Sequence, residues 1–425
     1  MRDRFAERLN CEHTLRMNMK RLFLTLVPIF ALSSCLSTDF LPPQEGAYGI
    51  LGTTVFQLDD PRNLVIQAWY PAANIGEGKL DPLLKKEQAE AFVSFLPIGK
   101  EQFENRMPSS SYIDAPIMPS TSPYPIIIFD HGFEGYEKQN MTQMENLASN
   151  GYVVFSISHP GESFVTVYPD GRIVGIDKER YPSLRAPTKK ERKANAAQTN
   201  GIISDIREAD SDKEKIEIMR LLSSISRISK LKIPIDERTT DVLNFMERLP
   251  EMSRQGFFTG AIDIENVGMY GHSMGGNVTH AIASLGEWPV GLKAAANLDG
   301  PQLIFPGDKI TIPQVPFMMA YSTATYIDGI TVNLAGANDW VLSECNYDTW
   351  RIVFNGTTHV NFSDLTYAKI LEGKSTGKID GYTMGVALDR LLVAWFDKNL
   401  KNQDTDMVRL EQSYDLWELD YHPAK

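Results

Sequence analysis

The chain has 425 residues, 43% hydrophobic and 23% charged, so it can build an ordinary core and is not a predominantly disordered polymer. Its 42 Lys and Arg against 54 Asp and Glu give a formal charge of -12, which argues against a nucleic-acid binder relying on a basic, phosphate-facing surface. Three cysteines exclude a disulfide scaffold and supply no CxxC pair for zinc or redox chemistry.

From Met19 the sequence reads MKRLFLTLVPIFALSSC, with Lys20 and Arg21 ahead of an apolar run from Leu22 to Leu32. A run of about 11 residues is too short to span a bilayer but suits the hydrophobic region of a secretion signal. Leu32-Ser33-Ser34-Cys35 is similar to the lipobox of bacterial lipoproteins, which makes Cys35 the expected lipidation site. A plain secretory signal cleaved nearby is the alternative. Residues 1–18 read as an upstream extension from an early start codon. Setting residues 1–35 aside removes six basic and three acidic residues, so residues 36–425 carry 36 basic against 51 acidic residues and a formal charge of -15. Cys11 is then discarded and Cys345 has no intramolecular partner. The expected product is a body tethered to the bacterial envelope by acyl chains, each buried methylene contributing about 0.8 kcal/mol. Electrostatic docking of so acidic a body to anionic lipid is not expected.

Along residues 36–425, strand-like runs alternate with helical periodicity, the pattern of an α/β domain with a mostly parallel sheet and helices on both faces. NLVIQAWYP (63–71) reads as an early strand. YPIIIFDHG (124–132) holds a continuous apolar run, Ile126 to Phe129, as a strand buried on both faces requires. Residues 138–150 fit a helix closing at Asn150-Gly151, and GYVVFSISHP (151–160) is another strand. Residues 236–249 place Val242, Phe245, Met246 and Leu249 on one helical face, with Pro250 expected to end the run. Strands are expected at 266–270, 293–298, 315–321 and 351–355, and a closing helix carries Leu388, Leu391, Leu392 and Trp395 on one face.

Residues 161–235 interrupt the alternation. Thr188 with Glu191 and Ser211 with Glu214 are capping-box patterns, and Ile218, Leu221, Leu222 and Ile225 give the second helix one apolar stripe. This helical insertion reads equally as a cap over the active site or as a surface elaboration. The expected organisation is one domain over 36–425 carrying it.

Residues 266–276, NVGMYGHSMGG, contain Gly271-His272-Ser273-Met274-Gly275 between a strand and a helix. Strand, G-x-S-x-G and helix in that order form the setting of a nucleophile elbow, where small flanking residues permit a sharp turn that lifts the serine oxygen above the sheet. Ser273 is therefore the expected nucleophile. Of seven histidines, His13 lies in the discarded segment, and His131 and His159 precede Ser273, out of step with the Ser, Asp, His order of such folds. His272 lies inside the elbow, His280 on the next helix and His422 near the terminus, which leaves His359, just past a strand, as the expected base. The carboxylates between Ser273 and His359 include Asp299, Asp308, Asp328, Asp339 and Asp348, with Glu287 and Glu344. Asp299 directly follows a strand beside the elbow and is favoured; Asp339 in GANDW is the runner-up. An oxyanion hole needs two backbone N–H groups, and those of Met274 and Phe133 are the candidates. No histidine pair has HExxH spacing, so neither a metal nor another cofactor is expected.

FDHGF (129–133), GHSMGG (271–276), NLDG (297–300) and GTTHVNFSD (356–364) occur in an order that resembles the plasma platelet-activating-factor acetylhydrolase family of α/β-hydrolases. The resemblance spans roughly residues 46–400. It implies an α/β-hydrolase fold, a triad of Ser273, Asp299 and His359, oxyanion amides at Phe133 and Met274, and metal-free hydrolysis of short or oxidised acyl chains from phospholipids. The charged insertion and Met274, where phenylalanine is more usual, depart from that pattern. The expected function is a serine carboxylic-ester hydrolase acting through an acyl-enzyme on short-acyl or phospholipid-like esters. The alternatives are a catalytically silent envelope binding protein on the same fold, or a polyester hydrolase or peptidase.

Overall fold

The computed structural model describes residues 41–425 other than 43, 87, 90–107, 178, 182–187, 225–230, 301–310, 328–329, 333–337, 368–375, 408 and 411–415. Cys35 and the signal-like segment, Asp308, Asp328 and Ile225 lie outside the described residues.

The chain opens with strands β1 (Leu51–Gln57), β2 (Val65–Pro71), β3 (Leu80–Pro82), β4 (Pro108–Ile113) and β5 (Tyr124–Asp130). Helix α1 (Met141–Ser149) leads to β6 (Val153–Ser158). The insertion holds the short hairpin β7 (Val165–Val167) and β8 (Ile173–Gly175), then α2 (Lys189–Glu208) and α3 (Asp212–Ser224). There follow α4 (Lys232–Met252), β9 (Ile262–His272), α5 (Met274–Ala283), β10 (Leu292–Leu298), β11 (Phe317–Ile327) and β12 (Ile330–Val332). The described chain closes with α6 (Asp339–Glu344), β13 (Thr349–Thr358), α7 (Gly381–Lys401) and β14 (Trp417–His422).

Among the described residues one large sheet runs in the order β14-β13-β11-β10-β9-β5-β6-β2-β1-β4-β3, with β12 folded back on β11. The run from β6 through β5, β9, β10 and β11 to β13 is parallel, so those strands share one C-terminal edge. β2 and β14 join it antiparallel. The continuous apolar run of β5 is buried on both faces, as a central parallel strand demands. One face packs against α4 and α5 through Val242, Phe245, Met246, Val278 and Ile282. The other packs against α1 and α7 through Met144, Leu147, Leu388, Leu392 and Trp395. This is the mostly parallel α/β architecture that the alternation of elements implied, and it fits the α/β-hydrolase fold that the family resemblance implied. No described helix is long and apolar enough to cross a membrane.

Three details differ from the sequence reading. α4 runs past Pro250 to Met252, because a proline so close to a helix end removes little of the remaining hydrogen bonding. In α3 the buried apolar positions described are Met219 and Leu222, while Leu221 is exposed and Ile218 only half-buried. The α3 cap is real but shifted: Ser211 Oγ accepts the Glu214 N–H, whereas the Glu214 carboxylate reaches the N–H of Asp210 rather than that of Ser211.

The insertion leaves the sheet after β6, and its helix α2 lies against β12, which extends from β11. Between those two strands in the sheet stand β5, β9 and β10. Ile202 and Ile206 of α2 and Met219 and Leu222 of α3 bury in the same apolar cluster as Met274. α2 thus lies by the β12 extension of β11, and α3 packs against α2.

Candidate active site

β9 delivers His272 and then Ser273, whose backbone sits at φ 59 and ψ -117, a conformation that L-residues adopt only under constraint. The turn is possible because its flanks are glycine. A Cβ at Gly271 would lie 2.2 Å from the Gly275 carbonyl oxygen, and one at Gly275 would lie 2.0 Å from the Asp130 oxygen. Asp299, directly after β10, also has positive φ, and Asn297 braces its turn by exchanging two hydrogen bonds with the Gly300 backbone. A Cβ at Gly300 would stand 2.3 Å from the Ser273 carbonyl oxygen, so the two turns interlock.

Ser273 Oγ donates to His359 Nε2 at 2.8 Å, and His359 Nδ1 donates to Asp299 Oδ2 at 2.8 Å. The donor roles follow from the partners, since a buried carboxylate accepts and so takes the ring proton. Ser322, on β11, gives Asp299 both its N–H and its Oγ–H at 2.8 Å. Burial raises the Asp299 pKa, but the bonds from His359 and Ser322 outweigh it and leave the net shift downward, so the group holds its charge. The runner-up, Asp339, is elsewhere, at the start of α6 in an ion pair with Arg351.

His359 opens a 3-10 turn, His359–Phe362, directly after β13, and the rest of its segment pins it in place. Asn361 Oδ1 accepts the N–H groups of Thr358 and Gly377, each at 2.8 Å. Asp364 accepts both the N–H and the Oγ–H of Thr142 at the start of α1. The Asn and Asp of the VNFSD continuation are therefore its anchors.

At the end of β5, the Gly132 carbonyl accepts from His131 Nδ1 at 2.7 Å, from the Gly135 N–H at 2.9 Å and from Arg238 Nη2 at 3.3 Å. A trans peptide holds C=O and N–H antiparallel, so the Phe133 N–H points the opposite way, out of that cluster of donors. A Cβ built on Gly132 would lie 3.4 Å from the Ser273 Cβ, which puts this peptide against the elbow. The Met274 N–H opens α5, where N–H groups have no intrahelical acceptor and the dipole favours negative charge. Both backbone amides singled out in the sequence thus flank Ser273.

His131 and His159, set aside by chain order, belong to a buried ion network. Arg238 of α4 reaches Asp130 Oδ1 at 2.6 Å, the His131 carbonyl at 2.5 Å and Glu162, while His159 bridges Asp130 and Asp241. Burial and the Arg238 charge keep His131 neutral, well below the usual histidine range. The sequence carried one signal for this network: Arg238 and Asp241 extend the apolar stripe of α4, where a charge needs a buried partner. Among the described residues no group of three or more His, Cys, Asp or Glu converges as metal ligands.

Residues 59–417 match the family described as platelet-activating factor acetylhydrolase, isoform II. Among solved structures, a ferulic acid esterase from Streptomyces cinnamoneus is similar at 16% identity with a TM-score of 0.56, covering 88% of this chain and 96% of that one. At that identity the likeness speaks for the fold alone. The family match takes in most of the chain, including the segments that carry Phe133, Ser273, Asp299 and His359. The chain belongs to the platelet-activating factor acetylhydrolase isoform II family, carboxylic-ester hydrolases with the α/β-hydrolase fold.

Proposed function

We propose that the protein hydrolyses short-acyl or phospholipid-like esters through a serine acyl-enzyme. The observation that carries this reading is the continuous hydrogen-bonded chain from Ser273 through His359 to Asp299. In the proposed cycle His359 takes the Ser273 proton as Oγ attacks the ester carbonyl. Asp299 holds the ring tautomer and favours the imidazolium. The Phe133 and Met274 N–H groups receive the oxyanion. The imidazolium protonates the departing alcohol, and the neutral ring then activates the water that releases the acid. The helices α2 and α3 act as a cap that limits the acyl chain. A set of nitrophenyl esters from acetyl to decanoyl tests this: wild type is expected to prefer the shortest, and Ser273→Ala to lose at least about 10³-fold in kcat. Retained activity in Ser273→Ala removes the mechanism, and a flat acyl profile removes the cap. A catalytically silent binding protein is less favoured, because none of the three expected residues is replaced.

The tether is a proposal from sequence: acylation at Cys35 holds the enzyme on an envelope membrane. Cys35→Ser is expected to move the protein from the membrane pellet to the soluble fraction after cell lysis, and its retention in the pellet would refute the anchor.

A further inference from the structure

Gln139, two residues ahead of α1, touches both halves of the site. Its Oε1 accepts the Gly132 N–H at 3.0 Å, and its Nε2 donates to His272 Nδ1 at 2.8 Å. His272 Nε2 in turn meets the His359 carbonyl oxygen at 3.0 Å. The His272 and His359 rings lie side by side and tilted, 4.5 Å between centroids and 35° apart. The same short segment holds the base loop through its backbone and its neighbour: the Gln139 carbonyl accepts the Asp364 N–H at 3.2 Å, and Asn140 Nδ2 donates to the Phe362 carbonyl at 2.7 Å.

The two ends of this relay are backbone groups, so its polarity is determined. Gly132 N–H can only donate, which turns the Gln139 oxygen toward it and the amide nitrogen toward His272. The His359 carbonyl can only accept, which puts the His272 proton on Nε2 and leaves Nδ1 as the acceptor for Gln139. A second proton on His272 would set N–H against N–H. Space is provided for the amide head, since a Cβ at Gly135 would lie 2.3 Å from Gln139 Oε1.

We propose that Gln139 and His272 are positioning residues that lock the oxyanion loop, through Gly132, to the base loop, through the His359 backbone. Neither touches the reacting atoms, and the proposal rests on the acyl-enzyme reading above. The relay fixes two distances at once: that of the Phe133 amide from the elbow, and that of the imidazole from Ser273. The His272 ring also stands beside the imidazolium that forms during attack. Burial and the adjacent His359 push its pKa down to about 3, so it adds no second positive charge there.

The test uses purified wild type, Gln139→Leu and Gln139→Glu, with steady-state kinetics on nitrophenyl acetate, thermal melts, and nitrogen-15 spectra of histidine-labelled protein. Gln139→Leu breaks both bonds and is expected to lower kcat about 10- to 100-fold, the scale of a small misplacement of reacting groups, with KM within about threefold. Gln139→Glu keeps the size and the Gly132 contact but offers His272 Nδ1 an acceptor. It is expected to lower kcat with little change in melting temperature and to place a proton on Nδ1. Wild-type His272 is expected to carry its proton on Nε2 from about pH 5 to 8. A kcat within twofold of wild type in both variants overturns the proposal, as does wild-type His272 protonated on Nδ1. Should Gln139→Leu not fold, Gln139→Glu decides on kinetics and spectra together. A wild type inert toward every ester would count against the acyl-enzyme reading, and the His272 tautomer would still judge the relay.

Discussion

At the scale of single residues, the site is built from two strained turns that lean on each other. Ser273 and Asp299 both hold positive φ without being glycine, and the Ser273 N–H donates to the Leu298 carbonyl at 2.9 Å. Gly300 is where they meet, with no room for a methyl group between it and the Ser273 carbonyl. Gly300→Ala is therefore expected to displace the 273–274 peptide and with it the Met274 N–H. Thermal melts should show a loss of about 1–3 kcal/mol, the usual cost of overpacking, and kcat should fall more than KM rises. Unchanged melting and kcat would show that the turns do not depend on this contact. The glycine was visible in the NLDG segment, yet nothing in the string tells that its neighbour in space is the nucleophile. Ser273, His359 and Asp299 were legible because order along an α/β sheet constrains them. Gln139 was not, since a polar residue before a helix has many bland explanations.

At the scale of elements, long periodic segments were read well and their polar partners were not. The apolar stripes of α4 and α7 are buried as the spacing required. Helix ends and the burial pattern of α3 departed from expectation, because tertiary contacts choose among faces that periodicity leaves nearly equal. α4 also carries the buried ion network, which ties the exit of the insertion to the end of β5. Arg238 is fully buried between Asp130 and Glu162, and both carboxylates lose their guanidinium if it is removed. Arg238→Leu is expected to cost about 3–5 kcal/mol in urea denaturation, the penalty for breaking a buried pair from one side. Adding Asp130→Asn and Glu162→Gln should recover part of that loss. A single variant as stable as wild type would mean that the network is not under this electrostatic load.

At the scale of the whole molecule, buried carboxyls set how stability follows pH. Burial raises Glu145 and Asp364 to about 7 each, and pushes Asp389 well above its ordinary value. A carboxyl whose folded pKa is raised binds its proton more tightly in the folded state. Its stabilising contribution is whole below the unfolded value and is lost as pH rises through about 7. Asp130, which burial alone would raise, is lowered to about 2 by Arg238 and His159, and Asp299 is lowered as well, so their contributions are lost only as the solution becomes strongly acid. His131, His272 and His280, buried neutral and lowered, act in the opposite sense: their contributions are present above the ordinary histidine value and are lost as pH falls below it, so they offset the carboxyls across the acid range. The double variant Glu145→Gln, Asp364→Asn lacks two of those carboxyls, so its melting temperature is expected to change with a more positive slope than that of wild type from about pH 4 to 7. An equal slope in both proteins would show that these groups do not titrate in the window.

Glu145 belongs to the stretch of α1 that receives the start of the described chain. Gln44 bonds to Glu145, the Gly46 N–H donates to Ser149 Oγ, and the Tyr48 N–H donates to the Ser149 carbonyl. Ser149 ends a helix that runs antiparallel to the sheet, so the chain enters at the foot of the strands, opposite the edge that carries Ser273. The ten residues between Cys35 and Gly46 reach at most about 35 Å when extended. If Cys35 carries the proposed anchor, so short a leash would turn the mouth of the enzyme outward from its own bilayer. Such an orientation favours esters arriving from the surrounding fluid, or from a facing membrane, over lipids of the leaflet that holds it.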